Sequence, residues 1–187
     1  PLLERVSTRG ELSDLIWELQ GELGTSHAYE MGGDHRKPPA VAQGLLAADL
    51  RETDAGFEIA HIVEGDVWDA PAASPLSAVG VEARVGERIV AVGGQPVSRE
   101  QPPGALLVHR AGSKVALTLA LGEGSAAARR EVVVTALADE APVRYREWVE
   151  RNRAWVHQQS GGKVGYFHLP DMMSAGFAEF HRYFATE

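Results

Sequence analysis

Between residues 40 and 139 the chain alternates short apolar runs with glycine- and proline-bearing turns. That alternation constrains the fold to a small antiparallel sheet structure, because the runs are too short for helices and rich in β-branched residues. Residues 41–50, 57–63, 88–92, 114–121 and 130–137 each read as a strand. Asp54-Ala55-Gly56, Gly93-Gly94 and Gly122-Glu123-Gly124 supply turn chemistry, and the alanine-rich 124–128 reads as a hairpin tip. Short helices are expected at about 75–79 and 103–110. A partly open β-barrel carrying two helices is the economical arrangement.

The flanks follow other rules. Thr8 and Glu11 have capping-box spacing, Leu12, Leu15, Ile16, Leu19 and Leu23 form one helical stripe, and Gly24 suits the stop. The next residues, Gly24-Thr25-Ser26-His27-Ala28-Tyr29-Glu30, put an imidazole on a short turn where the backbone can aim it. Histidine titrates near neutrality, so an oriented ring nitrogen can take a proton from a hydroxyl nucleophile. Residues 32–39 form a polar breaker. Beyond 139, Pro142 opens a helix with Tyr145, Trp148, Val149, Asn152, Trp155 and Val156 on one side and Gly161-Gly162 as its stop. Residues 163–169 read as a strand, and a last helix follows with Ser174 as cap and Phe177, Phe180 and Phe184 on its buried face. A lone strand and its covering helix make an unfinished α/β layer. With no initiator Met and an abrupt end after Glu187, the chain is expected to be a piece of a longer polypeptide. The reading is thus α+β, in three segments: 1–39, 40–139 and 140–187.

Composition excludes several functions. Lys and Arg number 18 against 26 Asp and Glu, a net charge of -8, and no basic cluster interrupts that balance, which argues against nucleic-acid or anionic-membrane partners. No cysteine is present, so disulfides, a thiol nucleophile and cysteine-zinc sites are excluded, in keeping with a cytoplasmic location. No segment has the apolar length of a membrane span. His35, His61, His109, His157, His168 and His181 are scattered without metal-binding spacing, and the glycine-rich segments lack the Gly-Lys-Ser/Thr ending of a phosphate loop. These histidines read as structural, and no metal or cofactor is expected. Trp17, Trp148 and Trp155 read as core or interface anchors.

Two resemblances extend this reading. Ser74-Pro75-Leu76-Ser77-Ala78-Val79-Gly80-Val81, followed by Val85-Gly86-Glu87-Arg88-Ile89-Val90-Ala91-Val92-Gly93-Gly94, resembles the order of motifs in PDZ domains. Gly44-Leu45-Leu46-Ala47 then matches the Gly-Leu-Gly-Phe loop, whose backbone N–H groups hold a peptide carboxylate, departing from it at Leu46 and Ala47. The whole chain resembles the core of the tricorn protease family, through GTSHAYEMGG at 24–33, the PDZ-like insertion, VRYREWVERNRAWVH at 143–157 and VGYFHLPDM at 164–172. The resemblance implies a cytoplasmic, homo-oligomeric serine peptidase that shortens oligopeptides released by the proteasome. It implies His27 as the general base and Ser26 as an auxiliary member of the catalytic array, with the nucleophile and its acidic partner outside this chain. The polypeptide alone is accordingly expected to be inactive. Met173 and Gly176, at a strand-to-helix turn, are the candidate oxyanion donors. The other reading is a PDZ-like peptide-binding or substrate-gating module without catalysis.

Overall fold

The computed structural model describes residues 2–35, 41–54, 56–66, 73–122 and 127–187, and divides into two compact units, 1–40 and 41–187. Residues 36–39 of the expected breaker, Ala55, and 123–126 of the expected turn and hairpin tip lie outside the described residues.

In the first unit, a helical turn at Leu3–Arg5 precedes α1, Arg9–Glu22. The capping box forms as expected: Glu11 N–H donates to Thr8 Oγ1 at 3.2 Å, and the Thr8 amide donates to the Glu11 carboxylate at 3.1 Å. Gly24 takes the left-handed conformation just past the helix end (φ 59°). Of the helix residues only Ser13 is buried; the apolar stripe is half covered at Leu12, Leu15 and Ile16 and exposed at Leu19 and Leu23.

The second unit is built on one antiparallel sheet of six strands: β1 Ala48–Thr53, β2 Gly56–Ile62, β3 Arg88–Val92, β4 Gln95–Pro96, β5 Lys114–Leu121 and β6 Ala128–Thr135. The order is β1-β2-β3-β5-β6, with β4 paired to β3. A single bridge between Leu45 and Leu137 ties the sheet's first approach to its last exit, without closing the barrel. Alternation along β5 sends Val115, Leu117 and Leu119 inward against Ile59, Leu76, Ile89 and Val132. Each such buried aliphatic stabilises the fold by about 1.5–3 kcal/mol before chain entropy is counted. Two helices accompany the sheet, as expected, but as single turns: Pro75–Ser77, and α2, Pro103–Leu106. The strand expected over 41–50 starts only at Ala48. Ala47 is left-handed (φ 47°), so residues 44–47 form a loop instead of extending the ladder.

The same unit contains α3, Ala141–Ser160, and α4, Ser174–Tyr183. Val143 of α3 packs on Ala47 and Val63. Here the structure corrects four expectations. Residues 163–169 are not a strand: the Val164 amide donates to Ser160 Oγ at 3.1 Å and the Tyr166 amide to the Glu187 carboxylate at 2.9 Å, so side chains take the donors a ladder would use. Met173, not Ser174, is the N-cap residue of α4, and the helix start is satisfied by Asp171. The phenylalanine ridge is not the buried face of α4. Phe177 and Phe184 are exposed and only Phe180 is half-buried, edge-on to Phe167, whereas Gly176 and Tyr183 turn inward, because Arg146 of α3 donates to the Glu179 carboxylate at 2.7 and 2.8 Å and to the Tyr183 hydroxyl at 2.8 Å. Asp66, buried in the loop after β2, pairs with Arg182 and lies 3.6 Å from Arg146. Finally, Trp17, Trp148 and Trp155 are exposed, which removes the core half of their core-or-interface reading.

Candidate functional site

His27 stands in the turn after α1 with φ 61°, a backbone state that non-glycine residues adopt only at a cost of about 1–3 kcal/mol. Its ring is exposed. The Tyr29 hydroxyl lies 3.4 Å from Nδ1, and the two rings meet edge-on with centroids 6.1 Å apart. Arg9 fixes the turn from the first residue of α1: it pairs with Glu30, and its guanidinium donates to the Gly32 carbonyl at 3.4 Å and to Ser13 Oγ at 2.7 Å. Arg9 and Glu30 are the pair that sequence reading passed over, since a single Arg and Glu 21 residues apart carry no motif. Ser26 is exposed beside His27.

Met173 and Gly176 lie at the start of α4, in the other unit. Both of their N–H groups are donated to one atom, Asp171 Oδ1, at 2.8 Å each. The helix start therefore already holds a carboxylate, the charge its free amides favour.

The Gly44–Ala47 loop is also engaged from within. Gly44 N–H donates to the Leu107 carbonyl at 2.8 Å, Leu45 N–H to the Leu137 carbonyl at 2.9 Å, and Ala47 N–H to the Glu140 carboxylate at 3.0 Å. Gly44 is required by close packing, since a Cβ there would meet Ala136 Cβ, Arg110 Cβ and the Leu107 carbonyl oxygen at 3.1 Å. The second oxygen of Glu140 accepts from Arg144 Nε at 2.8 Å, and Arg144 also donates to Asp49 at 3.0 Å. The bonds to Glu140 and Asp49 raise the Arg144 pKa further above its ordinary value against the opposing effect of burial. Glu140 escaped the sequence reading. Its signal was faint: an acidic residue just before the Ala141-Pro142 helix start, where a carboxylate is expected to turn back on amides.

Glu87, within the Gly-Glu pair of the PDZ-like motif, is structural. It is buried and gripped by Arg130 at 2.9 and 3.0 Å and by the Arg84 amide at 2.8 Å. Burial pushes its pKa up, but Arg130 and the Arg84 amide prevail and leave it below the ordinary carboxylate value. The scattered histidines have separate partners: His61 with Glu147 at 2.6 Å, His157 with Glu187 at 2.6 Å, His168 with the Tyr145 hydroxyl at 3.0 Å, His35 with the Gly32 carbonyl at 3.1 Å. His181 packs edge-on against Phe177, and His109 adopts a left-handed conformation. Among the described residues, no group of His, Asp and Glu is placed to hold a metal, and no helix is long and apolar enough to cross a membrane.

An open antiparallel sheet with two single-turn helices and a carboxylate-holding loop ahead of its first strand defines a PDZ-type domain, here continuous with two further helices. The family model of the tricorn protease PDZ domain matches residues 44–139, and the chain belongs to the tricorn protease family. Tricorn protease homolog 1 of Streptomyces coelicolor is 48% identical over 184 residues, covering 97% of this chain and 17% of that protein. Tricorn protease of Thermoplasma acidophilum is 34% identical over 186 residues, covering 100% of this chain and 17% of that protein. A crystal structure of the tricorn protease superposes with a TM-score of 0.80 at 35% identity, over 97% of this chain and 17% of that one. The chain thus spans about a sixth of the length of these relatives.

Proposed function

We propose that this chain is the histidine-bearing core segment of a tricorn-type serine peptidase, which degrades oligopeptides downstream of the proteasome as a cytoplasmic homo-oligomer. His27 is the general base. With its Nδ1–H given to the Tyr29 oxygen, Nε2 is the acceptor that removes the proton from a serine hydroxyl, a serine that lies outside this chain, and later returns it to the leaving amine. Ser26 helps orient the array. The exposed imidazole in a left-handed turn, fixed by Arg9 and Glu30, is the observation that carries this reading. Met173 and Gly176 belong to the proposal as oxyanion donors on the condition that Asp171 yields their amides, since an oxyanion and that carboxylate compete for the same N–H groups.

The test is turnover of a fluorogenic oligopeptide by the parent protein and its variants. His27→Ala is expected to lower kcat/KM by about 10⁴-fold or more, the scale on which triad histidines act. A parent protein that remains folded and assembled and keeps its turnover after His27→Ala would refute the assignment. The 187-residue chain alone is expected to show none.

A further inference from the structure

We propose that the sheet with its loops and the helix pair α3–α4 are two bodies joined by an ionic latch, and that Asp66 is the residue that holds it shut. The inference goes beyond the peptidase reading and does not rest on it. It starts from what α3 turns toward the sheet. Glu140, Val143, Arg144 and Glu147 share one helical stripe, i, i+3, i+4 and i+7, the spacing at which a docked helix ordinarily carries apolar residues. Here Val143 alone is apolar. Glu140 accepts from the Ala47 amide at 3.0 Å, Arg144 donates to Asp49 at 3.0 Å, and Glu147 accepts from the Glu64 amide at 2.9 Å and meets His61 Nε2 at 2.6 Å. Val143 packs on Ala47 and Val63, with Leu137 beside them. Among the described residues, the main core of the sheet draws on no side chain of α3 or α4.

Asp66 reaches both helices. It belongs to the loop after β2, it is buried, and one of its carboxylate oxygens faces a guanidinium from each: Arg182 of α4 pairs with it, and Arg146 of α3 lies 3.6 Å away. The helices hold each other independently, through Arg146 on Glu179 and the Tyr183 hydroxyl and through Arg153 on Glu187. Opening the seam therefore leaves the sheet with its core and the helices with their mutual bonds, while the parted carboxylates and guanidiniums recover water. Contacts that fix two bodies permanently are large and apolar, and a small polar one lets them move. Within the seam the Asp66 pair governs, because the Arg144–Asp49 and Glu147–His61 contacts are more exposed and weaker. Removing one partner of a buried pair leaves the other uncompensated in the closed state and hydrated in the open one. Asp139 and Glu140, between the bridge at Leu137 and the first residue of α3, form the pivot.

The chain has no cysteine, so spin labels can be placed in chosen pairs. One pair, Val133→Cys with Trp155→Cys, spans the seam from β6 to α3, and a second, Val85→Cys with Val133→Cys, lies within the sheet body; all three positions are exposed. Distances are measured by pulsed electron spin resonance on the 187-residue chain. With the latch intact, the spanning pair is expected to give one narrow distance. Asp66→Asn, which removes the charge and keeps the shape, is expected to add a broad, longer population and to raise the ratio of open to closed molecules at least about tenfold, the worth of one charge-assisted hydrogen bond. Arg182→Gln cuts the same pair from the helix side, is expected to act alike, and decides the matter if Asp66→Asn does not fold. The pair within the sheet is expected to keep its one distance in every variant. Folded variants whose spanning distance stays single and unchanged would overturn the latch. So would a wild type that is already broad, or a sheet pair that broadens in step with the spanning pair, since that is general loosening and not a hinge. Neither distance involves cleavage, so the result is independent of His27.

Discussion

Two regions of this chain keep their shape by opposite means. In the sheet unit, Ile59, Leu76, Ile89, Leu117 and Leu119 have no solvent exposure, and the strand order follows from where those side chains must go. In residues 1–40, by contrast, Ser13 is the buried residue among the described positions, and the turn that carries His27 is fixed by a capping box, a left-handed backbone and one arginine with three partners. Packing resists displacement from every direction, whereas directed polar bonds resist it only along their own axes. The general base proposed at His27 needs an exposed face and a defined heading, so the second strategy suits that role and the first suits the scaffold.

The largest effect that sharpens this contrast is expected from the sheet core. Leu117→Ala removes a fully buried side chain whose neighbours are held by two flanking strands and cannot collapse into the space. It is expected to cost about 3 kcal/mol in denaturant unfolding of the 187-residue chain. A loss under about 1 kcal/mol would show that the core is loosely packed, and the contrast between the two units would fail.

A smaller effect is expected where the sheet unit itself relies on a polar bond. Glu87→Gln leaves Arg130 without its carboxylate and is expected to cost about 2 kcal/mol, less than a wholly buried pair because the Arg130 side chain is 39% exposed. Acid should give the same signature. The Glu87 pKa is below its ordinary value of 4.5 in the folded chain, so its contribution is complete above that value and is lost as the pH falls from there through the folded pKa. Glu187 adds to the same slope: burial pushes it up, yet the Tyr166 amide, Arg153 and His157 hold it at about 2. Unfolding midpoints followed from pH 6 downward should fall for the wild type and fall less for Glu87→Gln. Parallel profiles would remove Glu87 from the account.

What could be read in advance divides along the same line. The strands at 88–92 and 114–121 coincide with β3 and β5, because alternating apolar residues between glycine turns leave a sheet few choices. The capping box of α1 was equally legible, being local. Bonds between distant polar residues were not: Glu140 to Ala47 spans 93 positions and Arg182 to Asp66 spans 116, and no periodicity links such partners. The 163–169 segment misled for a related reason. Its composition is that of a strand, but a strand exists only with a neighbour to pair with, and here Ser160 and Glu187 take the amides of Val164 and Tyr166. The buried face of α4 was misjudged because Arg146, on another helix, draws Tyr183 and Glu179 inward.

The smallest expected effect concerns the leucine stripe of α1. Leu19 is 62% exposed and Leu23 60%, so truncating Leu19 removes little buried area, and Leu19→Ala gains slightly in helix propensity. In the 187-residue chain its cost is expected to stay within about 0.5 kcal/mol. The tricorn relatives are about six times longer, and in a parent of that kind a side chain covered by further structure would cost about 2 kcal/mol or more on the same truncation. Comparing Leu19→Ala in the two lengths of protein therefore asks whether the His27 unit keeps its polar mode of support in a parent of that length. A cost that rises in the parent would mean that α1 gains a packed floor there, and that Arg9 and Glu30 only refine the heading of the ring. An unchanged cost would mean that the imidazole is aimed by those directed bonds alone.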